Sequence, residues 1–290
     1  MERYTSVRPW HYALSQLEVV AHYVRLCLWP APLILDHDWP VTTSWSELAP
    51  MAGLTPALLV LTGWLVWRRP HAAFPALFFF LVLAPTSSLV PLRDLAVEHR
   101  LYLPLAAVTT YLVLGTWTLL VRLPTRLQVP VATTLLAVVA TILATQTARR
   151  NAVFGNPVSL WNEAVSHYPD HKRVHLNLAQ LHTQRQDHNT AYLHYKKGLP
   201  FNWLADELGA KVFYNFGVTL QALDQTDAAA TQYRRAADLK PGGIVAASSY
   251  NQLGLIEASR RNLSRARRHF EAAQEAIGNY AIPYTNRGVL

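Results

Sequence analysis

Six side chains capable of anion or acid–base chemistry crowd into one short stretch: Arg93, Asp94, Glu98, His99, Arg100 and Tyr102. A guanidinium presents a planar fork of donors that matches phosphate oxygens. Arg100 is the first candidate for such a contact, with His99 and Arg25 behind it. A nearby carboxylate can act as a general base, and Asp36, Asp38 and Glu98 are the candidates. Ordinary alternatives stand beside these readings. Arg100 can pair with Glu98 or Asp94 to order a loop, while Asp36 and Asp38 can cap a helix or form turns. A different chemistry is offered by Asn177, Asn215 and Asn286. An amide both donates and accepts, so it can hold an extended peptide backbone without regard to its sequence. His171 and His175 are four apart, but no third ligand is spaced to join them, and the single Cys27 excludes a thiolate site. No metal site and no disulfide framework are expected. Arg260, Arg261, Arg265, Arg267 and Arg268 make a basic patch. Such a patch is ordinarily a solvated face, or else meets anionic headgroups or an acidic partner.

These groups are carried by two very different stretches of chain. Apolar residues make up 51% of the 290 and charged residues only 15%, below the roughly 25% of an average soluble protein. The deficit is local, because residues 48–148 carry very few charges and residues 149–290 read as a soluble helical protein. Four segments lack Asp, Glu, Lys and Arg: Leu48–Trp67, Ala72–Leu92, Leu101–Val121 and Leu127–Ala148. Each is long enough for a hydrocarbon core of roughly 30 Å. The second is the weakest, since Pro85, Thr86, Ser87, Ser88 and Pro91 interrupt its far end.

Arg68, Arg69 and His71 follow the first segment, and Arg122 and Arg126 follow the third, so these loops are expected on the cytoplasmic side. The loop from Arg93 to Arg100 and the region beyond Arg149 then fall on the outer side. The expected location is a bacterial cytoplasmic membrane with the C-terminal region in the periplasm. The net charge of +8 fits loops that retain Lys and Arg for topology; no nucleic-acid partner is expected, and membrane lipid is. Residues 1–47 precede the spans. Within them Glu18, His22 and Arg25 share one helical face, which suits an interfacial amphipathic helix or a span whose polar face lines a cavity. The three charges also break the only candidate signal peptide.

Beyond Arg149 the sequence repeats. His175, Leu178, Ala179, His182, Ala191, Tyr195 and Gly198 recur as Phe213, Phe216, Gly217, Leu220, Ala229, Tyr233 and Ala236. They recur again as Tyr250, Leu253, Gly254, Ala266, Phe270 and Ala273, with starts at Lys172, Ala210 and Ala247. The intervals are 210 − 172 = 38 and 247 − 210 = 37. This is the tetratricopeptide-repeat (TPR) pattern, a stack of helical hairpins in which small residues admit close approach and aromatics fill the gap between helices. The fold expected is all-α, a multi-span helical region followed by a TPR solenoid. Trp161, Ala164 and Pro169 match the second helix of a partial repeat before it, and Tyr284 and Gly288 the opening of another after it. The three asparagines fall at the sixth position of their repeats, on the helix that lines the groove, so a protein or peptide partner is expected there.

Two strings carry a family likeness. Pro85-Thr86-Ser87-Ser88-Leu89-Val90-Pro91 followed by Glu98-His99-Arg100-Leu101-Tyr102-Leu103-Pro104, with Leu35-Asp36-His37-Asp38-Trp39-Pro40 upstream, resembles the transmembrane and tetratricopeptide repeat-containing proteins. That family belongs to the GT-C glycosyltransferase class and is similar to protein O-mannosyltransferases. The resemblance implies sugar transfer to protein from a lipid-linked, polyprenyl-phosphate donor at the outer face. Arg100, His99 and Arg25 would then hold the donor phosphate, and Asp36, Asp38 or Glu98 would assist as base. The family's catalytic acidic residue lies in an earlier outer loop, so the chain is expected to be the C-terminal part of such an enzyme. The alternative is a non-catalytic, membrane-anchored TPR scaffold.

Overall fold

The computed structural model describes residues 7–88, 90–92, 94–199 and 207–277. Among these the regular elements are all helical, and the contacts divide the chain into two units, before and after the junction of Ala164 with Val165. Composition changes earlier, at Arg149. The later division arises because the last apolar helix runs on to Phe154, and Arg150 at its end pairs with Glu163 of the following helix and stacks over Phe154.

The first unit holds α1 (Pro9–Leu28), α2 (Leu54–Arg68), α3 (Pro70–Leu83), α4 (Tyr102–Leu120), α5 (Thr125–Phe154) and most of α6 (Pro157–His167). Short 3-10 turns at Pro50–Gly53 and Glu98–Leu101 extend α2 and α4 toward their N-termini. Three stretches are long and apolar enough to cross a membrane: Pro50–Arg68, Glu98–Leu120 and Thr125–Phe154. The sequence predicted four. The difference is α3, whose 14 residues reach only about 21 Å at 1.5 Å per residue. It ends where Ala84, Pro85 and Thr86 turn, and Thr86 and Ser87 both donate their N–H to Leu83 O. Proline has no N–H to continue the ladder and disfavours helix in the residue before it.

α1 is the buried element of this unit. Val19, Val20 and Tyr23 pack with Phe79 and Leu83 at the end of α3 and Ala107 near the start of α4. Its polar residues Gln16, Glu18 and His22 are also buried. A helix floating in the interface would turn that face to water, whereas here it is directed inward onto loops, as a polar face lining an interior would be.

The second unit is built of three hairpins: α7 (Lys172–Gln184) with α8 (His188–Gly198), α9 (Glu207–Ala222) with α10 (Thr226–Leu239), and α11 (Ile244–Ser259) with α12 (Leu263–Ala276). Each hairpin turns through a non-glycine residue in the left-handed region: Gln186, Asp224 and Arg261, with φ of 62°, 59° and 61°. Their spacing, 224 − 186 = 38 and 261 − 224 = 37, repeats that of the motif starts. One core runs through all three hairpins, from Leu176, Ala179 and Tyr195 through Phe216, Leu220 and Tyr233 to Leu253 and Ile256. The hydroxyls of Thr183 and Thr219 meet at 2.8 Å, joining α7 to α9 inside it.

Close approach within a hairpin requires the glycines. A methyl group on Gly217 would lie 2.6 Å from Tyr233 Cε1, and one on Gly254 would overlap the Phe270 ring. Tyr233 is fully buried and its hydroxyl donates to Gln221 Oε1 at 2.9 Å, so the ring has no room to retreat. We therefore expect Gly217→Ala to destabilise by up to about 2 kcal/mol. Overpacking costs roughly 1–3 kcal/mol, and only about 1 kcal/mol returns as helix propensity. Thermal unfolding of the purified protein checks this, and a second change, Tyr233→Leu, should recover part of the loss.

Candidate functional site

Two groups of functional side chains emerge, one in each unit. In the first unit the loop between α3 and α4 is fastened along α1. Tyr12 donates its hydroxyl to Thr86 O at 2.6 Å, and Gln16 Nε2 donates to Leu95 O at 3.2 Å. The Tyr23 hydroxyl donates to Val97 O at 3.0 Å and accepts from Val97 N at 2.8 Å. Arg100 binds the same loop beside them, giving Nη2 to Asp94 O at 2.8 Å and Nη1 to Leu95 O at 3.2 Å and Thr86 O at 3.5 Å. Its fork is therefore directed at main-chain carbonyls, and a phosphate would have to displace those bonds. Partners for Arg100 come from the backbone of residues 86–95, not from the Glu98 or Asp94 carboxylates that the sequence suggested.

The segment between α1 and α2 is held in a similar way. Glu98 Oε1 accepts the Ile34 N–H and lies 3.3 Å from His37 Nε2. The Glu98 side chain is 22% exposed and that of His37 only 2%. Asp36 is buried and Asp38 half-buried. Arg25 donates Nη1 to Ala31 O at 3.2 Å and approaches His22 Nδ1 at 3.5 Å. The His22 ring lies 5.6 Å from that of His37 and 5.0 Å from that of Trp39. His99 is exposed, and Arg93 lies outside the described residues. Glu98, Arg25 and the 34–39 segment thus come together around His22 and His37, with Glu98 and His37 as a carboxylate–imidazole pair partly open to the surface. His22, His37 and Trp39 carried no site assignment from the sequence. The Asp36-His37-Asp38-Trp39 run was the signal for His37 and Trp39, because polar and aromatic groups alternate there between apolar stretches, and the face shared with Glu18 and Arg25 was the signal for His22.

In the second unit Asn177 and Asn215 stand half-buried on α7 and α9. Asn286 lies outside the described residues. Gln252 of α11 occupies the same place in the third hairpin, sixth from Ala247 as Asn177 is from Lys172 and Asn215 from Ala210. None of the three side-chain amides is hydrogen bonded to another described residue. A helix interior that leaves three amides unpaired at equivalent positions of successive hairpins exposes a row of alternating donors and acceptors. An amide-for-amide exchange at the repeat interval was the signal for Gln252. His175, four residues from His171, bonds Pro169 O and His194, and among the described residues no cluster of three or more metal-ligating side chains is found.

The tetratricopeptide-repeat family profile matches residues 210–242, the span of α9 and α10, and the second unit is a TPR solenoid. No curated protein matches the chain. Two solved structures described as the crystal structure of MamA and of MamA protein are 21% identical to it, each with a TM-score of 0.41. They cover 49% and 50% of this chain, and 80% and 75% of their own.

Replacing Arg100 separates its structural contribution from any other. Arg100→Gln should lower the stability of the first unit by about 2 kcal/mol, because carbonyls that accepted from a cation lose it. His99→Gln, one residue earlier and exposed, should stay within about 0.5 kcal/mol of the parent. Unfolding in detergent reports both, and equal stability of the two variants would remove the clamp.

Proposed function

We propose that the chain is a membrane-anchored TPR protein whose groove captures an extended segment of a protein partner. The observation that carries this reading is the row Asn177, Asn215 and Gln252, amides at one repeat position on α7, α9 and α11 whose side chains make no hydrogen bond to another described residue. A peptide backbone laid along the row would receive and give hydrogen bonds regardless of its side chains. Each such bond contributes about 1 kcal/mol, so three supply binding that is modest and broad in sequence. Anchoring is supported by three apolar helices of sufficient length. The purified full chain in lipid nanodiscs, screened against a display library of 12-residue peptides, should select extended sequences of varied composition. Asn177→Ala, Asn215→Ala and Gln252→Ala together should weaken the selected peptides by tenfold or more while unfolding stays unchanged. Undiminished binding by the folded triple variant would remove the row from the site.

A second reading is favoured by one observation. The three segments that carry the family resemblance, 35–40, 85–91 and 98–104, meet beside α1 through the contact of Glu98 with His37 and the bonds of Arg100 and Tyr12 to Thr86. In this reading the first unit is the C-terminal part of a GT-C-like glycosyltransferase. It uses a polyprenyl-phosphate sugar donor, and the TPR groove holds the acceptor protein. In both readings α4 and α5 bring the loop at Asp94 and the TPR unit to one face of the membrane, and that face is the outer one provided that α3, at 14 residues, crosses together with the turn after it. With Cys27→Ser as background, a membrane-impermeant thiol reagent applied to intact cells should modify Asp94→Cys and Asp187→Cys but leave Arg69→Cys unmodified. Modification at position 69 alone would reverse the orientation.

A further inference from the structure

The first hairpin of the TPR unit contains a histidine array that neither reading uses. His175 of α7 is 1% exposed and its Nε2 lies 2.7 Å from Pro169 O. A carbonyl only accepts, so Nε2 carries the proton and Nδ1 has the lone pair. That Nδ1 faces His194 Nδ1 of α8 at 2.9 Å, and His194 must therefore donate. The His182 ring stacks on His194 at 5.7 Å with 13° between planes, and His182 Nδ1 lies 3.0 Å from Asp187 Oδ2. Asp187 in turn caps α8 by accepting the Thr190 N–H.

We propose that His175, His194, His182 and Asp187 form a proton-sensitive latch that holds α7 against α8 at neutral pH and releases the first hairpin in mild acid. The release would extend to bound peptide, a consequence that rests on the peptide-capture reading because Asn177 lies on α7.

The chemistry has one direction. A proton on His175 Nδ1 would set two donors against each other across the helix contact. A proton on His194 Nε2 would add a cation in contact with His175 and His182 of α7 and near Lys197 of α8, with only Asp187 opposing. Burial first, then those neighbours, hold His194 down to about 4 from its ordinary 6.5. Because the folded value is depressed, the unfolded chain binds more protons between the two values. Stability is then present in full above about 6.5 and is lost as pH falls toward 4. Asp187 stays charged throughout, held below the ordinary carboxylate range by its bonds to Thr190 and His182.

The second hairpin, residues 207–239, contains no histidine and is an internal control. Hydrogen exchange of the full chain in nanodiscs, corrected for intrinsic rate, should show α7 and α8 losing about tenfold or more in protection between pH 7.5 and 5.0, while α9 and α10 change little. His194→Asn keeps a donor toward His175 without titrating and should flatten the response of α7 and α8. Equal loss in both hairpins of the parent, or an unaltered response in folded His194→Asn, would overturn the latch. Should His194→Asn not fold, carbon-13 histidine NMR of the parent decides: ordinary titration of His194 near 6.5 would overturn the latch equally. The peptides selected at pH 7.5 should dissociate at pH 5.0 from the parent and remain on His194→Asn. A working latch with no peptide bound at pH 7.5 would refute peptide capture alone.

Discussion

The constraint from which the rest follows is the outward apolar surface of α2, α4 and α5. None of the apolar window of α5 is buried against the protein, and only 17% and 11% of the windows containing α2 and α4 are. Water does not tolerate continuous apolar surface of that extent, whereas hydrocarbon does. Hydrocarbon in turn offers no hydrogen bonds, so irregular backbone beside such helices has to be satisfied by the protein itself. α1 meets that demand. Tyr12, Gln16 and Tyr23 bind the carbonyls of residues 86–97, and Ser15 and Glu18 accept the N–H groups of Thr42 and Ala49. Arg100 adds its fork to the same loop. The inward polar face of α1 and the outward apolar faces of α2, α4 and α5 are therefore two sides of one requirement.

The TPR unit obeys ordinary aqueous rules. Its helices bury alanines, glycines and single aromatic rings along a continuous core, and the buried Glu257 carboxylate accepts from the Asn262 amide. Surface ion pairs, Lys240 with Glu207 across the ends of the second hairpin and Arg260 with Asp227 between the third and the second, add little individually. What makes the unit specific is the contact of a ring with a glycine in the second and third hairpins, which fixes how near the two helices lie.

Legibility differed between the units for a physical reason. Repeat contacts are local, at separations set by a helical hairpin, so the intervals of 38 and 37 and the Gly217–Tyr233 and Gly254–Phe270 pairs stand in the sequence itself. Length and lack of charge also marked three of the apolar helices. The early end of α3 was foreshadowed by Pro85 and Pro91, although how many residues it would lose was not. What the sequence did not disclose depends on residues far apart in the chain. The inward turn of Gln16, Glu18 and His22 depends on loops at residues 31–49 and 86–97. The meeting of Glu98 with His37 at a separation of 61 residues is of the same kind, whereas Arg100 reaches carbonyls only 5, 6 and 14 residues away, acceptors that no residue type announces. Periodicity identifies a polar face but not what lies against it.

The central claim is that α5 has lipid as its solvent. Leu136, in the middle of that helix, is 70% exposed in the folded chain. A nitroxide attached at this position, through Leu136→Cys in a Cys27→Ser background and with the protein in a bilayer, reports its surroundings by collision with oxygen or with a water-soluble nickel chelate. The account predicts strong relaxation by oxygen, which concentrates in hydrocarbon, and almost none by the chelate. Strong relaxation by the chelate would place α5 in water and contradict it.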